Sequence, residues 1–433
     1  MDPDVGPLNR LRSSPLVGLT SFGALRAALV AGGAVVATWL LGPHDRGLMV
    51  LGVTFGSVAA LLVGMGTGSA LRSRVPGADA GGRQLLVASF AWWTLLSAGA
   101  AGTLAVLLCA LSAPLIGPEL TGPALLVGVF VNAAGQVALT QLPDAWYAGG
   151  RFRAGSGWAA LVALTGALGV VGAAALDRTA WALLLGQGLL MAVAGGWQAV
   201  HLRRVGLFAL PPLPWRRLLE LPGAGVRALG MTLGLVVVMR LDRYVLGAVT
   251  GPADVAVYSL AVTISGLPAL VPAAMGQLAL REVAAGRGLD FVRRAAWRAV
   301  RWAAAFSVPV AVAGWVLVVP VFGPEFAPVR VLLPVLLGAG VILAPFEVAS
   351  RGLLGGGWMG TAGLLGAAGC VLAVLAYTSL VTVLGLAGAA LACCVLYAAL
   401  SAGAWTLLRW RLVRRAADEA ENSINMLKIT VKG

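Results

Sequence analysis

The sequence contains little charge for its size. Only 11% of its 433 residues are charged, 59% are hydrophobic, and the mean hydropathy is +0.91. Soluble domains carry about 25% charged residues. The 31 basic and 17 acidic residues are therefore too few to cover the surface of a soluble globule of this length. The composition excludes a soluble protein, and its high hydrophobicity excludes a disordered one.

Side chains that bind metals or act as nucleophiles are equally scarce. The four cysteines lie within apolar runs and form no Cys-X-X-Cys pair, and the two histidines, His44 and His201, are far apart. A metal centre or a histidine-based catalytic dyad has almost no residues from which to form. We therefore expect no metal, no other cofactor and no enzymatic activity.

The sequence instead contains many long apolar runs. Crossing the hydrocarbon as a helix takes about 20 residues, and twelve runs reach that length. They are rich in Leu, Ala, Val and Gly and lack period-two alternation, which favours an all-α polytopic membrane protein over a β-barrel. The runs are 17–41, 48–71, 85–116, 124–142, 158–176, 180–200, 228–249, 255–280, 299–322, 329–354, 360–384 and 389–408.

The arginines predict the orientation of these spans. With a cytoplasmic N-terminus, 25 of the 31 basic residues fall in inner segments, and the outer loops hold only Arg46, Arg178 and Arg330. This asymmetry is the positive-inside pattern, so both termini are predicted to be cytoplasmic. Topology thus explains the net charge of +14 without a nucleic-acid partner. The remaining three, Arg26, Arg240 and Arg243, lie inside spans.

An internal repeat divides the chain into two halves. GPHDRGLMVLGVT, beginning at Gly42, aligns without gaps with GPADVAVYSLAVT, beginning at Gly251, and Gly-Pro-Glu recurs at 117–119 and 323–325. Six helices per half is an even number, so both halves enter the membrane from the same side, as parallel repeats. The predicted organisation is a six-helix bundle at 1–200, a proline-rich cytoplasmic connector at 201–227, a second bundle at 228–415 and a polar tail at 416–433.

Helix-breaking residues occur at related places in the two repeats. The eighth span contains Pro268 and Pro272, and the second contains Gly64, Gly66 and Gly68. Both devices weaken or bend helices, and interrupted helices in transporters often border the transport pathway.

Several segments resemble a known family. MRLDRYVLGAVTGPADVAVYSLA (239–261) is similar to the seventh-helix region of bacterial polysaccharide flippases in the multidrug/oligosaccharidyl-lipid/polysaccharide exporter superfamily. LLGPHDRG (40–47), FGPEFAPVRVLLPVL (322–336) and LGLAGAALACCVLYA (384–398) also resemble stretches of those proteins. The resemblance implies a transporter in the bacterial plasma membrane that flips an undecaprenyl-pyrophosphate-linked oligosaccharide from the inner to the outer leaflet. We expect a monomer among membrane lipids that contacts a polysaccharide polymerase or glycosyltransferases.

The arginines inside spans are the first candidates for binding such a substrate. Arginine deep in a span costs about 2.5–3.5 kcal/mol on insertion scales, and its planar fork matches phosphate oxygens. Arg240, roughly 18 Å into the seventh span, is predicted to contact the pyrophosphate. For Arg243 and Asp242 we favour structural roles, as a snorkelling cation and an ion-pair partner. Arg26 fits either phosphate binding or snorkelling.

Polar amides form a second group of candidates. Asn132, Gln136 and Gln141 follow one another along the fourth span, and we interpret them as a single polar stripe. The stripe fits either a sugar-binding cavity or hydrogen bonds between helices. Gln277 in the eighth span has the same two interpretations.

Other functions remain as alternatives. A multidrug or organic-cation antiporter of the same superfamily would need carboxylates in its cavity, and acids inside the spans are few. A membrane-embedded glycosyltransferase or ligase would need a catalytic loop at the outer face, where the predicted loops are short. A purely structural membrane protein would leave Arg240 unexplained.

Overall fold

The computed structural model describes the backbone of residues 15–432 and the side chains of residues 22–418, apart from 227–233, 235 and 416. The segment before residue 15 and most side chains of the predicted polar tail lie outside the described residues. Every regular element in the described part is helical. Ten segments there are long and apolar enough to cross a membrane, which confirms the predicted all-α membrane fold.

The helices follow the predicted spans with three differences. The last of the ten segments, Met359–Arg415, covers two predicted spans. A kink at Gly385 separates one from the other. The predicted seventh span is formed by two helices, α9 and α10, and is not among the ten. The second and eighth spans are each divided as well. The helices are α1 (Pro15–Leu40), α2 (Pro43–Gly64), α3 (Thr67–Arg74), α4 (Ala80–Ile116), α5 (Pro123–Thr140), α6 (Leu142–Ala148), α7 (Phe152–Ala174), α8 (Ala180–Arg204), α9 (Trp215–Val238), α10 (Leu241–Thr250), α11 (Pro252–Ser265), α12 (Leu270–Ala284), α13 (Leu289–Phe322), α14 (Val329–Gly355) and α15 (Met359–Lys432).

The chain forms two compact units, and the first comprises residues 1–263. Its helices pack through glycines. A Cβ on Gly135 of α5 would meet the Gly188 carbonyl of α8, and a Cβ on Gly169 of α7 would meet the Gly186 carbonyl. Small residues let helix backbones approach closely where lipid provides no hydrophobic drive for association. The α5, α7 and α8 helices therefore form a tight frame, on which α1 packs through α7.

The second unit comprises residues 264–433. In it α12, α13 and α15 all pack against α14. Gly276 of α12 lies against the Glu347 carbonyl, and Gly355 of α14 lies against the Leu280 carbonyl. The same small-residue packing thus recurs in this unit. The sequence repeat and its boundary at 201–227 stay a prediction.

Gly-Pro pairs begin the helices at the predicted outer end. Pro43 occupies the start of α2 after Gly42, and Pro252 occupies the start of α11 after Gly251. Proline suits this position, because its missing N–H needs no partner there and its φ angle is already helical. The α2 helix therefore begins five residues before the predicted span. Arg46 is a residue of its first turn and not, as predicted, of an outer loop.

Three of the predicted spans are interrupted. The α2 helix ends at Gly64 through left-handed Met65 (φ 47°) and Gly66 (φ 66°), and α11 ends at Ser265 before a short 3-10 turn. These breaks confirm the glycine and proline signals. The seventh span also breaks, at Arg240 (φ −128°, ψ −21°), so the prediction of one continuous helix over 228–249 is wrong. Asp242 explains part of the break, because its carboxylate accepts a hydrogen bond from the Arg243 backbone in the first turn of α10.

Candidate substrate-binding site

Charged side chains collect in the first unit where α1 ends, α2 begins, and α10 and α11 approach them. Arg46 is 5% exposed, and its Nε donates a hydrogen bond to the Thr38 hydroxyl at 2.9 Å. Asp242 is 3% exposed; it accepts the Arg243 backbone N–H at 2.8 Å and a hydrogen bond from Tyr258. Buried charges of this kind are costly in a membrane protein and usually mark function.

Positive charge exceeds negative charge in this cluster. Arg46 interacts electrostatically with Arg243, and Arg240 interacts with both Arg243 and Asp242. Within the described part of the chain, none of the three arginines forms an ion pair with a carboxylate, and Nε of Arg243 is buried without a hydrogen-bond partner. Arg240 and Arg243 are the arginines that interact with Asp242, and Arg46 is linked to them through Arg243. The four side chains carry three positive charges and one negative charge, so their formal net charge is +2. We call Arg46, Arg240, Asp242 and Arg243 the arginine cluster.

The arginine cluster extends toward the middle of the bilayer. Arg240 precedes the ten-residue helix α10, which places it about 15 Å from the predicted outer end at 1.5 Å per residue. This distance is about half of a hydrocarbon core roughly 30 Å thick. Arg46 lies in the first turn of α2, about 5 Å from that end. An anionic group bound between them would therefore lie within the membrane.

Close contacts hold α2 against α10 and α11 beside the arginine cluster. Gly47 lies so near the Pro252 carbonyl that a Cβ would overlap it. About two turns further along α2, the rings of Phe55 and Tyr244 meet edge to face with centroids 4.7 Å apart. The α2 helix thus packs directly on α10 and α11, and access from that side requires these helices to separate.

Arg26 belongs to a different group of side chains. It interacts electrostatically with Asp144, which forms an ion pair with Arg72 at 3.4 Å. The Arg72 guanidinium also lies over the Tyr147 ring, 5.8 Å from its centroid. Arg26 and Arg72 thus share a carboxylate near the predicted inner end. The structure places Arg26 apart from the arginine cluster and leaves its phosphate role untested.

The predicted polar stripe on the fourth span is wrong as a single face. Asn132 points toward α8, where its amide nitrogen donates to Gln187 Oε1 at 2.9 Å, while Gln141 lies against Gly64 of α2. Nine residues at 100° each rotate a helix by about two and a half turns, so these two amides lie on opposite sides of the helix. Gln136 between them is buried, and Gln277 in the second unit is exposed.

We expect Asn132 to act in stability and not in transport. Replacing Asn132 with leucine leaves Gln187 without its partner in a buried interface, which should cost about 1–3 kcal/mol. The measurement is thermal unfolding of the purified protein beside an export assay in cells. A Gln187→Leu variant should lower the melting temperature similarly, and the double variant should lower it by less than the sum. Loss of export with unchanged stability would contradict this assignment.

Arg46 is the residue of the arginine cluster that the sequence analysis missed. The available signal was Gly42-Pro43, since proline after glycine marks a first helical position and puts Arg46 inside the helix. Hydropathy rises only from Leu48 onward, so the predicted second span began too late to include Arg46.

Comparisons with known proteins agree with this architecture. The sequence profile of a family described as "Polysaccharide biosynthesis protein" matches residues 36–322. No curated protein matches the chain. The lipid II flippase MurJ in an inward closed conformation superposes with a TM-score of 0.70 at 12% identity, over 96% of this chain and 92% of that one. An inward-facing multidrug resistance MATE family transporter of the MOP superfamily gives 0.65 at 15% identity, over 92% and 95%. At these identities the likeness shows the fold.

Proposed function

Because the chain belongs to the polysaccharide biosynthesis protein family matched over residues 36–322, we propose that it flips an undecaprenyl-pyrophosphate-linked oligosaccharide from the inner to the outer leaflet of the bacterial plasma membrane. Both termini would face the cytoplasm, and the protein would alternate between inward and outward access as a monomer. The observation that carries the proposal is the arginine cluster, in which three buried or half-buried arginines lie together with a single carboxylate, Asp242, that interacts with two of them.

The charge of the arginine cluster complements the fixed part of such a substrate. A pyrophosphate joining a lipid to a sugar carries two negative charges, and the cluster holds two positive charges without a matching carboxylate. Arginine forks donate paired hydrogen bonds to phosphate oxygens, and low-dielectric surroundings strengthen these interactions. The lipid tail would stay in the bilayer while the head group occupies the site. No bond is made or broken in such a cycle.

The membrane potential would favour outward transport of such a substrate. An interior-negative potential drives negative charge outward by about 2.3 kcal/mol per charge per 100 mV. A doubly charged head group is therefore biased toward the outer leaflet. An organic cation would be repelled by the arginine cluster, and this disfavours the antiporter alternative.

Reconstituted vesicles test the proposal. The purified protein is placed in liposomes that contain a fluorescent undecaprenyl-pyrophosphate oligosaccharide in the inner leaflet, and a membrane-impermeant quencher is added outside. We expect protein-dependent quenching that becomes faster when an interior-negative potential is imposed. Liposomes with a fluorescent organic cation serve as the parallel assay. Cation movement without movement of the lipid-linked sugar would favour the antiporter and overturn the proposal.

A further inference from the structure

A second positively charged site lies at the predicted inner end of the first unit. A cavity of about 840 Å³ opens between the start of α4, the end of α8 and the connector that follows α8. Arg83, Gln84 and Arg203 line it with polar groups, and Phe208 and Leu210 line it with apolar ones. Its volume falls in the range of small-molecule sites. We call it the inner pocket.

The two arginines of the inner pocket are available to a ligand. Both are exposed, and within the described part of the chain neither forms an ion pair with a carboxylate. The nearest acid in sequence, Asp79, caps α4 by accepting the Gly82 backbone N–H at 3.0 Å. The inner pocket therefore presents two guanidinium groups and one side-chain amide, which are all hydrogen-bond donors that suit phosphate oxygens.

The walls of the inner pocket are fixed by hydrogen bonds. Trp92 of α4 donates its indole N–H to the Pro211 carbonyl at 2.8 Å, and the Ser89 hydroxyl donates to the Leu218 carbonyl at 3.2 Å. Phe208, only 5% exposed, anchors the intervening segment. The connector is thus held against α4, and a ligand would meet a pocket that is already formed, which lowers the entropy lost on binding.

The surroundings indicate that the ligand carries an apolar tail. Leu210, which lines the inner pocket together with Val87 and Phe208, is 41% exposed. The ends of α4 and α8 also lie on the arginine-rich side of the membrane, where anionic head groups attract basic residues. We infer that the inner pocket binds the phosphate group of a membrane lipid in the inner leaflet. The lipid is either the polyprenyl pyrophosphate or an ordinary anionic phospholipid, and both present the same phosphate chemistry.

Lipid binding to the detergent-purified protein tests this inference without any transport step. Native mass spectrometry would measure retention of undecaprenyl pyrophosphate and of phosphatidylglycerol, with undecaprenol and diacylglycerol as matched lipids that lack phosphate. The test protein is Arg83→Gln/Arg203→Gln. The control is Arg74→Gln/Arg204→Gln, which removes the same charge from exposed neighbours at the same end. Hydrogen bonds to charged groups are strong enough for a loss of about tenfold or more in affinity.

The outcomes separate the two lipid sources. Loss of both phosphate lipids in the test protein alone supports a general phosphate site, and loss of undecaprenyl pyrophosphate alone supports a loading site for the transported lipid. Equal retention in test and control proteins, or equal retention of the phosphate-free lipids, would overturn the inference. Because Arg240 and Arg46 lie outside the inner pocket, failure of the proposed transport function would leave this binding result unchanged.

Discussion

Arg240→Ala should abolish export of the surface polysaccharide while the protein stays in the membrane at normal abundance. Arg240 lies at the break between α9 and α10, about halfway through the bilayer, and has no ion pair within the described residues. Its removal would delete up to two charge-assisted hydrogen bonds to the pyrophosphate, each contributing about 1.5–3 kcal/mol. We therefore expect export to fall about 100-fold or more, measured by polysaccharide on intact cells.

Two matched variants make this result specific. Arg240→Lys keeps the charge but loses the planar fork, so we expect partial export. Arg178→Ala removes an exposed arginine at the predicted outer end and should leave export unchanged. Membrane abundance is measured for all three by immunoblotting. Full export by Arg240→Ala at normal abundance would show that this arginine does not bind the phosphate.

Gly47→Val should open the arginine cluster to the outside and block transport. The new side chain would overlap the Pro252 backbone carbonyl, which is held at the first turn of α11 and cannot rotate away as a side chain can. Overpacking costs about 1–3 kcal/mol, which shifts an equilibrium between closed and open states by roughly 5- to 150-fold. The reporter is Thr38→Cys in a cysteine-free background, labelled by an impermeant maleimide. Thr38 is 2% exposed and contacts Arg46.

The chain offers a matched glycine as the control. Gly42 lies at the same end with a negative φ of −65°, and a Cβ there meets nothing within 4 Å. Gly42→Val should therefore leave both labelling and export near their original values. Gly47→Ala provides a smaller perturbation in case the valine variant does not fold. Unchanged labelling and normal export in both Gly47 variants would mean that this contact is not a closure.

The sequence predicted the helices well, because each span must carry its own apolar run and satisfy its own backbone hydrogen bonds. It also predicted the breaks near Gly66 and Pro268, which arise from local backbone chemistry. The break at Arg240 was harder to predict, because it depends on how Asp242 competes for backbone groups. The apolar composition of the span gives no sign that a side chain competes for its backbone hydrogen bonds.

The candidate site was only partly predictable for a related reason. Arg240, Asp242 and Arg243 are neighbours in sequence, so their clustering followed from the chain itself. Arg46 joins them through contacts nearly 200 residues apart, and Arg26 interacts instead with Asp144. One sequence without related sequences gives no signal for such distant pairs. A hydrogen bond between helices was one of the two roles predicted for Asn132, but its partner Gln187 is 55 residues away, and the sequence alone does not identify it.

The Gly-Pro helix starts also determine how much chain the protein presents at its predicted outer end. Only Leu41 and Gly42 separate α1 from α2, and Gly251 alone separates α10 from α11. Turns this short do not extend into the cleft of a protease or present a continuous epitope to an antibody. Cleavage by enzymes is therefore expected on the arginine-rich side, where connecting segments such as that between α8 and α9 are longer. At these two turns a protease or an antibody would find little polypeptide to bind.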